Sequence, residues 1–275
     1  MSNTPDNVGI FVSSGRTGTR FLAEYFDKNY DDITAVHEPK PSYAIRRYSN
    51  AYMHGTISDE CMIQLLKRKR KALMAAVTTP TYIESNPYLH GFVPFLHTQW
   101  PNAKIIHLVR DPRTAIMSGL NHQDARWIKK FANRWVPHWV PDVRTLLNLP
   151  KDASPIAYYA GFWQLTNNAI HTAGQQHENY TRLNYEDLFE NDCQGLRQIC
   201  DILSIDFKAS KKAISPKTRI NKSISSRTTG WPTWTAAECA EVHEICSPLM
   251  QEYGYGLDQP WLDRVKEGAD SHEKD

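Results

Sequence analysis

The stretch Ser13 to Arg20, SSGRTGTR, brings together the residue types that catch an anion. Gly15 and Gly18 allow close approach of the backbone, Arg16 adds a permanent positive charge, and the hydroxyls of Thr17 and Thr19 add donors beside the small polar pair Ser13 and Ser14. If a helix follows, its first N–H groups and dipole favour a phosphate at the same place. A plain strand-to-helix connection uses small residues too, so the loop alone leaves both readings open. A nucleoside-triphosphate loop would read G-x-x-x-x-G-K-[ST], whereas Gly18 is followed by Thr19 and Arg20. Both the Lys and the magnesium-binding hydroxyl are displaced. In IIHLVRD, Asp111 lies between Arg110 and Pro112, which suits a helix start as well as a metal ligand. The loop therefore reads as a phosphate binder that dispenses with magnesium, and no metal site is expected.

The elements that must position this loop are legible on either side of it. The short β-rich run at Val8 to Val12 precedes it, and FLAEYF begins a helical pattern after it. Further strands are expected at Ile33 to Val36, Thr81 to Glu84, Ile105 to Val109 and Tyr180 to Asn184, with a long helix over Ser58 to Val77. Alternation of this kind predicts an α/β fold, a parallel sheet flanked by helices. Glu38 falls just past a predicted strand end, where parallel sheets place their sites, and is the candidate base; a surface Glu before Pro39 is the alternative. On extended backbone His37 would point to the opposite side and act as a packed neighbour. His107, inside IIHLV, reads as a hydrogen-bonded core residue.

Composition narrows the partners. The 275 residues are 41% hydrophobic and carry 32 basic against 30 acidic side chains, a net charge of +2. That is enough for one substantial core and too little field to imply nucleic-acid or membrane binding, so an anion must be caught locally. The polar start MSNTPDNVG has no apolar leader and no run is long enough to span a membrane, which predicts a cytoplasmic protein. The five cysteines, with no Cys-x-x-Cys pair, read as reduced thiols. A single domain is expected over residues 1–262, with an insertion on the acceptor side at about 123–155 and a charged, frayed tail at 263–275. Trp127, Trp135 and Trp139 in that insertion suit stacking on an acceptor or packing in a core or oligomer contact. Oligomeric state is not legible.

Taken together, these segments resemble the family of sulfotransferases that use 3′-phosphoadenosine-5′-phosphosulfate (PAPS). SSGRTGTRFL is similar to the family's 5′-phosphosulfate loop. AKIIHLVRDPRTAIMSG is similar to its second signature, with Arg110 and Ser118 eight residues apart, as the family requires for the nucleotide 3′-phosphate. HEP at His37 to Pro39 and NYEDL at Asn184 to Leu188 follow the same pattern, in the family's order. The resemblance implies a P-loop-type sulfotransferase fold binding PAPS, with Ser14, Gly15, Arg16, Thr17, Gly18, Thr19 and Arg20 at the 5′ end. It also implies Arg110 and Ser118 at the 3′-phosphate and Tyr185 against the adenine. Arg16 matches the cation that neutralises the leaving phosphate oxygen, and Glu38 the catalytic carboxylate of carbohydrate and tyrosine members. SSRTTGWPTW is similar to the late loop over the 3′-phosphate, making Arg227 and Gly230 candidates, although a basic turn before a helix would look the same. Members that act on small molecules use a His base in a Lys-Thr-His segment; here the comparable stretch is Glu84, Ser85, Asn86, Pro87, which lacks both Lys and base. The implied acceptor is a small molecule or carbohydrate bearing a hydroxyl or amine. An ATP-dependent small-molecule kinase and a non-catalytic nucleotide-binding protein are the alternatives.

Overall fold

The computed structural model describes residues 5–121, 143–150, 152–208 and 230–272. Trp127, Trp135, Trp139 and Arg227 lie outside them. In chain order the elements are β1 (Asn7–Val12), α1 (Thr19–Asn29), β2 (Ile33–His37), α2 (Ser42–Met53), α3 (Asp59–Ala76) and β3 (Thr81–Ser85). After a 3-10 segment (Pro87–Phe95) come α4 (Leu96–Gln99), β4 (Lys104–Val109), α5 (Pro112–Leu120), α6 (Val143–Leu146) and α7 (Pro155–Gly174). The chain continues with β5 (Tyr180–Asn184), α8 (Gln194–Leu203), α9 (Ala236–Cys246), α10 (Leu249–Glu252) and α11 (Gln259–His272). Its contacts divide it into two compact units, residues 1–109 with 169–220 and residues 110–168 with 221–275.

The first unit holds all five strands in one sheet of order β2-β3-β1-β4-β5, every neighbouring pair parallel. A parallel sheet buries both faces, so its strands read as continuous apolar runs. Alternate residues of those runs supply two cores. Val8, Ile10, Val12, Tyr82 and Ile105 pack with Ile45 of α2, Met62 and Leu66 of α3, and Leu89 and Phe92 of the 3-10 segment. Phe11, Ile83, Ile106 and Leu108 pack with Leu22, Tyr25 and Phe26 of α1 and Leu196, Ile199 and Leu203 of α8. The helix expected over Ser58 to Val77 is present as α3, capped by Ser58 accepting from Cys61 N at 3.4 Å. His107 is buried, and its Nδ1 lies 2.8 Å from the Tyr180 hydroxyl, as a core role requires.

A charge sits inside this apolar packing. Arg70 of α3 and Glu84 of β3 are both fully buried and meet in a two-pronged pair, Nε donating to Oε2 at 2.8 Å and Nη2 to Oε1 at 2.5 Å. The Tyr82 hydroxyl donates to Oε2 at 2.9 Å and Asn86 Nδ2 to Oε1 at 2.8 Å. Burial, with the Glu84 charge next, raises the Tyr82 hydroxyl well above its ordinary value, so it stays a donor. Four donors on one carboxylate offset the cost of taking it out of water.

In the second unit, Trp163, Trp234, Val242, Met250 and Trp261 are buried. A capping box between Thr235 and Glu238 starts α9. The charged C-terminal stretch continues as helix α11 to His272. Among the described residues no helix is long and apolar enough to cross a membrane.

Glu84→Leu leaves the Arg70 guanidinium buried without its counter-charge and is expected to destabilise the fold by about 3–5 kcal/mol. The double variant Arg70→Met with Glu84→Leu removes both charges and should recover most of that loss. Urea unfolding of the three proteins measures it; an equal loss in the single and double variants would show that packing, not charge, dominates.

Candidate functional site

Each strand of the first unit ends by placing a polar residue at the carboxyl edge of the sheet. After β1 the backbone takes left-handed conformations at Gly15 (φ 90°), Arg16 (φ 62°) and Gly18 (φ 70°), and Gly15 N donates to Ser13 Oγ at 3.0 Å. The turn delivers the chain into α1 with Gly18 as N-cap, no side-chain cap and no acidic residue in the first turn. Gly18 itself brings no side-chain acceptor to the first amide groups of the helix. Thr17 is fully buried, and among the described residues its Oγ1 has no hydrogen-bond partner. Among the described residues a Cβ built on Gly15 meets nothing within 4 Å. A buried hydroxyl lacking such a partner, at a helix start with no acid, is the arrangement an oxyanion completes. The Arg20 side chain is exposed and paired with Glu24 at 2.8 Å. Only its backbone amide belongs to the loop.

Tyr185 follows β5 and its N donates to Val109 O at 2.6 Å. A Cβ on Gly18 would lie 3.0 Å from Tyr185 Cε2, so the ring rests directly on the loop. Asn86 follows β3 and is fully committed: Nδ2 goes to Glu84, and Oδ1 accepts from Tyr88 N at 3.0 Å. It caps the 3-10 segment.

Glu38 follows β2, and here the expected alternation fails. Glu38 is left-handed, φ 45°, so its side chain does not swing to the side opposite His37; instead His37 Nε2 lies 3.5 Å from Glu38 Oε1, both side chains partly exposed. One carbonyl fixes the pair, because Ser85 O accepts from Glu38 N at 3.1 Å and lies 3.0 Å from His37 Nδ1. A carbonyl only accepts, so Nδ1 carries the hydrogen and Nε2 is the nitrogen turned to the carboxylate. Tyr88 adjoins the pair. Burial, and then the Glu38 charge, push its hydroxyl up, while the Arg46 guanidinium, 5.7 Å from its ring centroid, opposes the shift.

The second unit begins at Arg110, the residue after β4. Trp163 Nε1 donates to Arg110 O at 2.9 Å, and Arg110 Nε donates to Thr114 Oγ1 at 3.0 Å. Asp111 is the N-cap of α5, accepting from Arg113 N at 2.8 Å, which settles its two sequence readings in favour of the helix start. Thr114 and Ser118 are four apart on α5 and share a face, the first of them bonded by the Arg110 side chain. Eight residues of sequence become one surface. Gly230, φ 117°, precedes the tight turn Trp231–Thr233 in the same unit.

A model of the sulfotransferase family matches residues 10–209. The chain belongs to the sulfotransferase family. The match spans the Gly15–Gly18 loop, Glu38, Arg110, Ser118 and Tyr185 and stops short of Gly230. Among curated proteins no sequence matches significantly. Similar solved structures include the sulfotransferase domain from the curacin biosynthetic pathway, 17% identical over 74% of this chain and 75% of that one, TM-score 0.46. A sulfotransferase from Alicyclobacillus acidocaldarius is 13% identical over 96% of this chain and 94% of that one, TM-score 0.46. The sulfotransferase domain of the Synechococcus PCC 7002 olefin synthase is 16% identical over 93% and 97%, TM-score 0.47.

One residue, Thr114, and one contact, that of His37 with Glu38, escaped sequence reasoning. Thr114 carries a signal, its position midway between Arg110 and Ser118 at helical spacing. The partnership of His37 with Glu38 carries none, because a left-handed Glu is not written in local sequence.

Gly18→Ala adds both a strained conformation and a contact with Tyr185, whereas Gly15→Ala adds only strain. Each left-handed alanine costs about 1–2 kcal/mol, and urea midpoints should rank Gly18→Ala as the more destabilised. The reverse order would mean that Tyr185 does not rest on the loop.

Proposed function

We propose that this sulfotransferase moves a sulfuryl group from PAPS to a hydroxyl or amine of a small-molecule or carbohydrate acceptor, releasing 3′-phosphoadenosine 5′-phosphate (PAP). The observation that carries the reading is the loop after β1: left-handed at three positions, lacking the Lys of a nucleoside-triphosphate loop, and holding the Thr17 hydroxyl, which has no partner among the described residues.

In this reading Thr17, Gly18, Thr19 and the amide of Arg20 hold the 5′-phosphate, with Ser14 and Gly15 completing the turn. Arg16 balances charge on the departing phosphate oxygen; a guanidinium keeps its proton, so its part is electrostatic. Arg110 and Ser118 bind the 3′-phosphate, the group that separates PAPS from ordinary adenine nucleotides, and Tyr185 lies against the adenine. Gly230 and Arg227 belong to the late loop. The bound donor supplies the sulfuryl group, and as the acceptor oxygen bonds to sulfur the bond from sulfur to the phosphate oxygen breaks, that oxygen keeping the electron pair. Glu38 takes the acceptor's proton, and His37 Nε2, 3.5 Å away, is placed to share it. The chemistry needs no metal, and the protein acts as a cytoplasmic enzyme.

PAP should raise the melting temperature at concentrations where AMP and ATP do not, with about 2.7 kcal/mol of stabilisation at a hundredfold excess over Kd. Equal stabilisation by ATP would return the loop to the kinase class.

Glu38→Gln keeps size and hydrogen-bonding reach but cannot take the proton. Calorimetry should show unchanged PAP affinity, while turnover with labelled PAPS and an acceptor found from a panel of sugars, phenols and alcohols falls about a hundredfold or more. Turnover within a few-fold of wild type would make Glu38 structural.

A further inference from the structure

The start of α5 is held by more than a helix start requires. Besides its N-capping role, the Asp111 carboxylate receives the Arg113 guanidinium, Nε at 3.1 Å from both oxygens and Nη2 at 2.7 Å from Oδ2. Arg113 Nη1 donates to Asp258 Oδ2 at 2.5 Å. Asp258 immediately precedes α11, and its Oδ1 accepts from Trp261 N at 3.3 Å. One guanidinium thus joins the carboxylates at the starts of two helices. It also lies 5.3 Å from the ring centroids of Trp231 and Trp261, which meet edge to face at 5.2 Å. With 10% of its side chain exposed, Arg113 is withdrawn into this cage.

What the cage connects matters more than the cage. Trp231 is the residue after Gly230, whose carbonyl accepts from Thr233 N at 3.1 Å and from Thr233 Oγ1 at 2.8 Å. Trp234 ends the turn with Nε1 3.0 Å from Met117 Sδ, and its carbonyl accepts from Arg264 Nη2 at 2.7 Å. Met117 is the neighbour of Ser118 on α5. Arg113 therefore fixes the helix that carries Thr114 and Ser118 and, through Trp231, the turn that begins at Gly230. A change there shifts these groups together and leaves the loop after β1 chemically untouched.

We propose that Arg113 is the positioning residue for recognition of the nucleotide 3′-phosphate, holding the Gly230 turn and the Arg110–Ser118 face in register without binding the ligand itself. The proposal rests on the reading that Arg110 and Ser118 bind that phosphate. A lysine keeps the charge but cannot bridge two carboxylates with a planar fork. In Arg113→Lys, calorimetry on the full chain should show the Kd for PAP rising about tenfold, or roughly 1.4 kcal/mol, while the Kd for AMP, which lacks only the 3′-phosphate, stays within about twofold. Far-UV circular dichroism and the melting temperature report folding. If Arg113→Lys does not fold, Asp258→Asn, at the more exposed end of the cage, is read in the same way. A folded variant with the PAP-to-AMP preference of wild type overturns the proposal, as does an equal loss for both nucleotides, which would mark the cage as general scaffolding. If wild-type protein itself binds PAP no more tightly than AMP, the 3′-phosphate reading fails first, and the inference falls with it.

Discussion

All five strands run the same way, and that one constraint places nearly every residue of interest. A parallel sheet presents the carboxyl ends of its strands along a single edge, so whatever residue leaves a strand is delivered there. Ser13 leaves β1, Glu38 leaves β2, Asn86 leaves β3, Arg110 leaves β4 and Tyr185 leaves β5. Five positions scattered over more than half the sequence acquire a common origin in topology. The continuous apolar packing on both faces of the sheet keeps that edge rigid enough for small residues to matter.

At two of those exits the backbone is left-handed at a residue other than glycine, Arg16 and Glu38. Each costs on the order of 1–2 kcal/mol relative to ordinary geometry, and such strain persists where surrounding bonds over-determine it. For Glu38 the over-determination is visible in Ser85 O, which receives the Glu38 amide and also meets the His37 ring. Regular extended geometry at this point would separate the two side chains across the strand. The strained conformation unites them.

The sheet was legible because parallel strands announce themselves as short apolar runs: all five expected strands are present, with ends that agree to within a residue. α3 was equally plain, from Ser58 and the acidic first turn that caps it. The loop after β1 reads as an anion site from its own local residue types, whereas the Arg110–Ser118 pairing came from the family resemblance. What sequence withheld depends on contacts between distant segments or on a single torsion. Nothing near Glu84 says that its partner is Arg70, in a helix that otherwise reads as a run of basic residues. Nothing in Asp111-Pro112-Arg113 names Asp258 or Trp261, about 145 residues further on. The pairing of Arg20 with Glu24, one helical turn away, follows from i,i+4 spacing on α1.

Electrostatics explains why the loop must be built this way. A net charge of +2 draws no anion from a distance, and several of the cations described here are engaged by carboxylates: Arg20 by Glu24, Arg70 by Glu84, Arg113 by Asp111 and Asp258. On the proposed reading, the attraction of the 5′-phosphate to the start of α1 comes from oriented groups more than from a field. The left-handed turns at Gly15 and Gly18, the dipole of α1 and the buried hydroxyl of Thr17 would act over a few ångströms on the proposed donor and are already in place. Short-range donors of this kind discriminate by shape, since a group must reach the loop to feel them. On the proposed reading, preorganisation, with Tyr185 pressed on Gly18, would do the work that a strongly basic surface does elsewhere.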